Sequence, residues 1–219
     1  MAVTMADISH LRKMSGAGMM DCKKALEEAG NDFDKAMEII RKKGQAVAAK
    51  RSDREASEGC VLAAENAGFA AIVALKCETD FVAKNEQFVA LTQDILNVAM
   101  SVKPETVEAL LASPLADGRA IQEHITDRVG VTGEKMELGF YQFVNGASSV
   151  SYIHPGNKLA TIVAFNEAVD HTVARDVAMQ VAAMNPIAVR AEEVPQNVID
   201  TEMEIARDKA RQSGKPENL

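Results

Sequence analysis

The stretch GCVLAAENAGFAAIVALKC, residues 59–77, reads as two β-strands folded about the turn Asn66-Ala67-Gly68. The second arm is almost wholly apolar. A strand that has buried such a run is expected to leave the core through polar turn residues. This one leaves through Thr79 and Asp80, presents Phe81 and Val82, and turns polar again only at Lys84 and Asn85. A helical pattern follows over residues 85–102, with Phe88, Leu91, Ile95 and Val102 on one face. Strand, turn, strand and helix in that order predict an α+β fold.

The same order recurs downstream. VSYIHPGNKLATIVAF supplies two strands around a glycine turn, and HTVARDVAMQVAAM supplies a helix over 170–184 with Val173, Val177, Val181 and Met184 along its face. The two units read as a structural duplication and differ at one place. The second passes from strand to helix through NEAVD, whereas the first inserts the longer ETDFVAKNEQ. An insertion that carries an exposed-looking aromatic favours function over architecture. Between the units, Pro104 opens a helix through Val107, Leu110 and Leu111. Asp117-Gly118 precedes another through Ile121, Ile125 and Val129, and MELGFYQFVNG is a further strand. A last helix runs from near Pro195 to Gln212.

Upstream, the first 44 residues read as three short helices. Met5, Ile8 and Leu11 line the first. The second starts after Ser15-Gly16-Ala17-Gly18 and ends at Gly30, with Met19, Cys22, Leu26 and Ala29 as its core face. The third is capped by Asp32, carries Phe33, Ala36, Met37 and Ile40 at helical spacing, and is expected to close at Gly44 after Arg41-Lys42-Lys43. QAVAAKRSDREASEG then reads as a short helix fading into a linker. The expected organisation is therefore residues 1–54 as a helical module with its linker helix, 55–139 as a first core subdomain, and 140–219 as a second with antiparallel strands.

Composition narrows the class. The chain has 219 residues, 47% hydrophobic and 26% charged, with no apolar run long enough for a membrane span. The start, MAVTMADISHLRK, lacks the apolar core of a secretory signal. Three widely spaced cysteines suit buried thiols in a reducing compartment, so a cytoplasmic protein is expected. The net charge of −8 is uneven: residues 1–54 hold eleven basic against eight acidic side chains, and the rest is strongly acidic. An acidic body with 4% aromatics and no Trp is poorly suited to phosphate backbones or base stacking. A protein partner is expected, with neither direct nucleic-acid nor membrane binding.

Three places stand out. At Thr79-Asp80-Phe81-Val82 the alternatives are a cap, with Asp80 starting the next helix and Phe81 tucked beneath it, or a projecting aromatic. Met20 falls opposite the module's core face, between Lys23 and Lys24, and reads as an adaptable docking surface that Arg12 borders. Tyr152-Ile153-His154-Pro155-Gly156 is foremost a hairpin turn. His10, His124, His154 and His171 are scattered, and no phosphate-cradling loop or nucleophile elbow is present. No cofactor, metal or catalytic residue is expected.

Residues 11–44, LRKMSGAGMMDCKKALEEAGNDFDKAMEIIRKKG, closely resemble the N-terminal module of the bacterial elongation factor Ts family, and CETDFVAKNEQF, residues 77–88, resembles that family's second signature. With AMQVAAMNP the resemblance extends over nearly the whole chain. It implies a ubiquitin-associated-like three-helix module followed by two related α+β subdomains, and a guanine-nucleotide exchange factor of elongation factor Tu. It further implies that the module, with Arg12, Met19, Met20 and Lys23, docks on the partner's nucleotide-binding domain. The subdomain holding His154 would contact a β-barrel domain, and Gly130 would lie on another contact loop. Thr79, Asp80, Phe81 and Val82 match the motif associated with dislodging Mg²⁺ from the partner. Many members continue past the SGKP turn with a further helix; this sequence ends at GKPENL, so contacts of that tail are expected to be missing. Two rival classes remain: a ubiquitin-type binding adaptor acting through the module alone, and a thiol oxidoreductase using Cys77 beside Asp80.

Overall fold

The structure is a computed structural model that describes residues 2–66 and 68–213. Ala67 of the expected hairpin turn and the closing segment 214–219 lie outside the described residues. The chain divides into two compact units, Met1–Ala182 and Ala183–Leu219.

The first unit begins with helices α1 (Met5–Ser15), α2 (Met19–Glu28) and α3 (Phe33–Arg51). Thr4 caps α1 in a reciprocal box with Asp7, and the Asp32 side chain accepts from the Lys35 N–H at the start of α3. Ile8, Leu11, Cys22, Ala25, Leu26 and Ala36 form a small core of their own. Met19, expected on that core face, is instead 43% exposed, because Ala25 rather than Met19 completes the stripe with Cys22 and Leu26.

Helix α3 does not close at Gly44. It runs on through Val47 and Ala48, which pack against the main core, to Arg51. Gly44 is buried against Gly130 of α7 (Ile121–Thr132). A glycine followed by polar residues resembles a C-terminal stop, but here the missing side chain serves a close helix crossing instead.

The first hairpin forms as expected, and a third strand joins it. Strands β1 (Glu58–Asn66) and β2 (Phe69–Cys77) pair antiparallel, and β3 (Met136–Asn145) pairs antiparallel with β2 on its other side. The central position of β2 explains its continuous apolar run, since both of its faces are covered. On one face Phe69, Ala71, Val73, Leu75 and Cys77 meet α5 (Glu86–Val102), whose Phe88, Leu91, Ile95, Leu96 and Ala99 are buried in the same cluster. Full burial of Phe88 alone contributes about 1.5–3 kcal/mol. Val102, at the end of the predicted face, is exposed. Helices α6 (Val107–Ala112) and α7 add Leu110, Ile121, Ile125 and Val129. The Tyr141 hydroxyl ties β3 to the Pro104 carbonyl at 2.8 Å.

The second hairpin, β4 (Ser148–Ile153) with β5 (Ala160–Phe165), lies against β1 and β2 and leads into α8 (His171–Met184). Hairpin-then-helix thus occurs twice, as the sequence predicts. The buried face of α8 differs from expectation. Ala174 and Ala178 are buried while Val173 and Val177 are exposed. Two neighbouring stripes share the helical period, and the smaller side chains let the helix approach closely enough for the Thr161 hydroxyl of β5 to donate to the Ala178 carbonyl at 2.9 Å.

The second unit holds the end of α8, a short 3₁₀ turn at Ala191–Glu193, and α9 (Gln196–Gln212), with Pro195 at its N-cap. Helix α9 is amphipathic, and Ile199, Met203 and Ile205 are all exposed. No helix among the described residues is long and apolar enough to cross a membrane. The architecture is α+β with antiparallel strands.

Candidate functional site

Where β2 ends, the chain makes one helical turn, α4 (Asp80–Ala83), before entering α5. Thr79 is extended and caps it: its hydroxyl oxygen accepts from the Val82 N–H at 3.4 Å. Helix α5 has its own cap, the Asn85 side chain accepting from Gln87. Asp80 is therefore not the cap of α5, and Phe81 is not core. A four-residue helix can bury one side only. Ala83 is buried, Val82 packs against the main core, and the Phe81 ring is 84% exposed.

Two carboxylates hold the start of this turn. The Thr79 hydroxyl donates to Glu134 at 2.7 Å and the Thr79 N–H donates to the same carboxylate at 3.1 Å. In return, Glu78 accepts from the Lys135 N–H at 2.7 Å and from Arg51 at 3.3 Å. The Cys77 thiol donates to the Thr79 carbonyl at 3.2 Å. Burial, with the nearby Glu134 charge, pushes that thiol up to about 11. Cys77 is therefore a protonated, fully buried thiol at neutral pH, which removes the basis for the thiol oxidoreductase reading.

Asp80 pairs with Lys84 one turn on, at 2.7 Å. The hydrogen bond from Lys84 holds the Asp80 carboxyl below its ordinary range, with a smaller contribution from Lys158. Lys158 sits in the β4–β5 turn and pairs with Glu58 at 2.7 Å, while the Asn157 carbonyl accepts from the Val61 N–H at 2.8 Å. These bonds fasten the turn carrying His154 to β1, close enough to the corner for Lys158 to act on Asp80. His154 is exposed, and its Nδ1 shares a hydrogen bond with the Tyr152 hydroxyl at 2.9 Å.

The module's candidates occupy another part of the first unit. Met20 is 63% exposed. Lys23 is exposed and loosely paired with Glu27 at 3.7 Å, and Arg12 is exposed on α1 beside buried Leu11. Gly130 does not lie on a loop: it is inside α7, against Gly44. The sequence reading missed Glu134 and Lys158. Neither stands near the corner along the chain, and only the β2–β3 pairing and the second hairpin bring them there.

The family model described as Elongation factor TS matches residues 78–219. The chain belongs to the elongation factor Ts family. It is 74% identical over its full length to an Elongation factor Ts of Porphyromonas gingivalis, covering 80% of that protein. It is 57% identical to one of Azobacteroides pseudotrichonymphae, again covering 80% of the relative. Against the Elongation factor Ts of Bacteroides fragilis the identity is 61% over 96% of this chain and 64% of the relative. The chain is thus a translation elongation factor, a component of protein biosynthesis.

Proposed function

We propose that this elongation factor Ts family member is a guanine-nucleotide exchange factor that binds elongation factor Tu and promotes release of its GDP. The observation carrying this reading is the Phe81 ring, projecting from a turn whose other side is anchored in the core. A GTPase holds GDP through backbone N–H groups around the phosphates and through Mg²⁺. Mg²⁺ demands near-ideal octahedral geometry, so a small shift of the element supporting it weakens the site steeply. Phe81 wedges into the partner and shifts that element, Asp80 anchors the approach, and Thr79 and Val82 hold the wedge in place. The 1.5–3 kcal/mol gained by burying such a ring is enough to bias a local rearrangement.

No bond is made or broken by this chain in that scheme. Coupling is reciprocal: if the factor weakens nucleotide binding, a fresh nucleotide weakens the factor equally and expels it. The helical module of residues 1–54 docks through Arg12, Met19, Met20 and Lys23, with residues 55–139 carrying the wedge and residues 140–219 contributing His154 as a second contact. Gly130 supports this docking from within α7. The setting is the cytoplasm.

The test is release of a fluorescent GDP analogue from elongation factor Tu by stopped flow. Phe81→Ala slows release by roughly tenfold or more, equivalent to at least about 1.4 kcal/mol, while circular dichroism stays unchanged. Release at the unaltered rate rejects the wedge.

A further inference from the structure

We infer that Glu134 is a positioning residue for Phe81, acting through the hydroxyl and the N–H of Thr79; this rests on the exchange reading above. Helix α4 is a single turn, too short to hold its own shape, because helix nucleation is unfavourable until several turns form. Phe81 contributes no packing of its own to the free chain, being 84% exposed. The turn is therefore held from its two ends. Val82 and Ala83 anchor the far side in the core, and Thr79 anchors the near side.

The Thr79 hydroxyl and N–H are both oriented by the Glu134 carboxylate, while the Thr79 carbonyl accepts from the Cys77 thiol. An ionised carboxylate accepts hydrogen bonds only, and this one accepts both the Thr79 hydroxyl, at 2.7 Å, and the Thr79 N–H, at 3.1 Å. With its hydrogen committed to Glu134, the hydroxyl keeps its lone pairs for the Val82 N–H, which is the capping bond of α4. Without Glu134 Thr79 loses two of the bonds that fix its position, and the cap on α4 is weakened. Glu134 stands just after Gly133, the left-handed residue closing α7. That helix crosses α3 at Gly44 and Gly130. The carboxylate therefore joins the wedge to the helix that also carries the module.

Release of the GDP analogue is measured across a range of factor concentrations, using the full chain. Glu134→Ala lowers the maximal release rate roughly tenfold and leaves the half-saturating concentration within about twofold of the parent. Glu134→Gln, whose single amide oxygen replaces only one of the two carboxylate acceptors, restores only part of the rate. Amide exchange at Val82 and Ala83 in the free factor speeds up in Glu134→Ala by a similar factor. Thr79→Val, which removes only the hydroxyl, slows release in the same direction and serves if Glu134→Ala fails to fold.

The outcomes separate the two claims. If Phe81→Ala slows release but Glu134→Ala and Thr79→Val do not, the positioning role is overturned and the wedge stands. If both of those variants instead shift only the half-saturating concentration, Glu134 serves docking and the inference is again overturned. If Phe81→Ala releases GDP at the parent rate, the wedge itself fails and the inference falls with it.

Discussion

Gly130 of α7 lies so close to Gly44 of α3 that a Cβ added to Gly130 would sit 2.5 Å from the Gly44 Cα. The reverse substitution is looser: a Cβ on Gly44 would lie 3.4 Å from the Gly130 Cα, an ordinary contact. The crossing fastens the helix of the N-terminal module to the main core, and its asymmetry decides what each glycine contributes.

Gly130→Ala forces backbone apart from backbone. Overpacking of this kind costs about 1–3 kcal/mol, against a helix-propensity gain of about 1. The expected result is a lower denaturant midpoint. Gly44→Ala gains the same propensity without the clash and leaves stability unchanged or slightly raised. Chemical denaturation of both variants checks the difference; equal losses would mean that the crossing is not the determinant.

Met20→Asp places a charge on a side chain that is 63% exposed. Surface changes away from special features usually stay within about 0.5 kcal/mol of stability. The module therefore stays folded by circular dichroism, while calorimetry shows binding to elongation factor Tu weakened by roughly tenfold or more. Full-strength binding would remove this face from the docking surface.

The three cysteines are inert in the native chain. Cys22, Cys60 and Cys77 are at most 1% exposed, and burial raises the thiols of Cys60 and Cys77. At pH 8 a thiol of pKa about 11 is thiolate in roughly one molecule in a thousand. A disulfide reagent leaves all three unmodified until denaturant is added, then titrates three. Rapid native labelling of Cys77 would revive a redox role.

Asp117 accepts from Arg119 at 2.8 Å and from His124 at 2.9 Å, and the Arg119 bond holds its carboxyl well below the ordinary 3.8. A depressed carboxylate stabilises the fold fully above its unfolded value, and that contribution disappears as pH falls through the folded value. Asp117→Asn therefore lowers the melting temperature at pH 7, and its deficit against the parent narrows below about pH 4. A deficit that stays constant from pH 7 to pH 3 would show that the carboxylate's charge is not what matters. The side chain is about half exposed to solvent, which keeps the effect small.

Much of this was legible from the sequence. The hairpins, the cap Asp32, and the α5 face through Phe88, Leu91 and Ile95 all rest on local periodicity and local hydrogen bonding, which neighbouring residues specify by themselves. The corner at Thr79–Val82 was legible because a bulky apolar residue stood where polar turn chemistry was due. Local pattern failed where two readings shared it. On α8 the valine and alanine stripes have the same spacing, and on α3 a glycine near basic residues looks alike as a stop and as a crossing point.

The amino-acid order alone determined the α+β class, the repeated hairpin-and-helix unit and the aromatic on the inserted corner, since each depends on residues a few positions apart. Only tertiary structure decided which side of that corner faces outward and what holds it. Thr79 and Glu134 are separated by 55 positions and meet because β3 pairs beside β2, and Gly44 meets Gly130 because two helices cross. Contacts of that kind are chosen by which faces the chain can bury together, and no local window contains both partners.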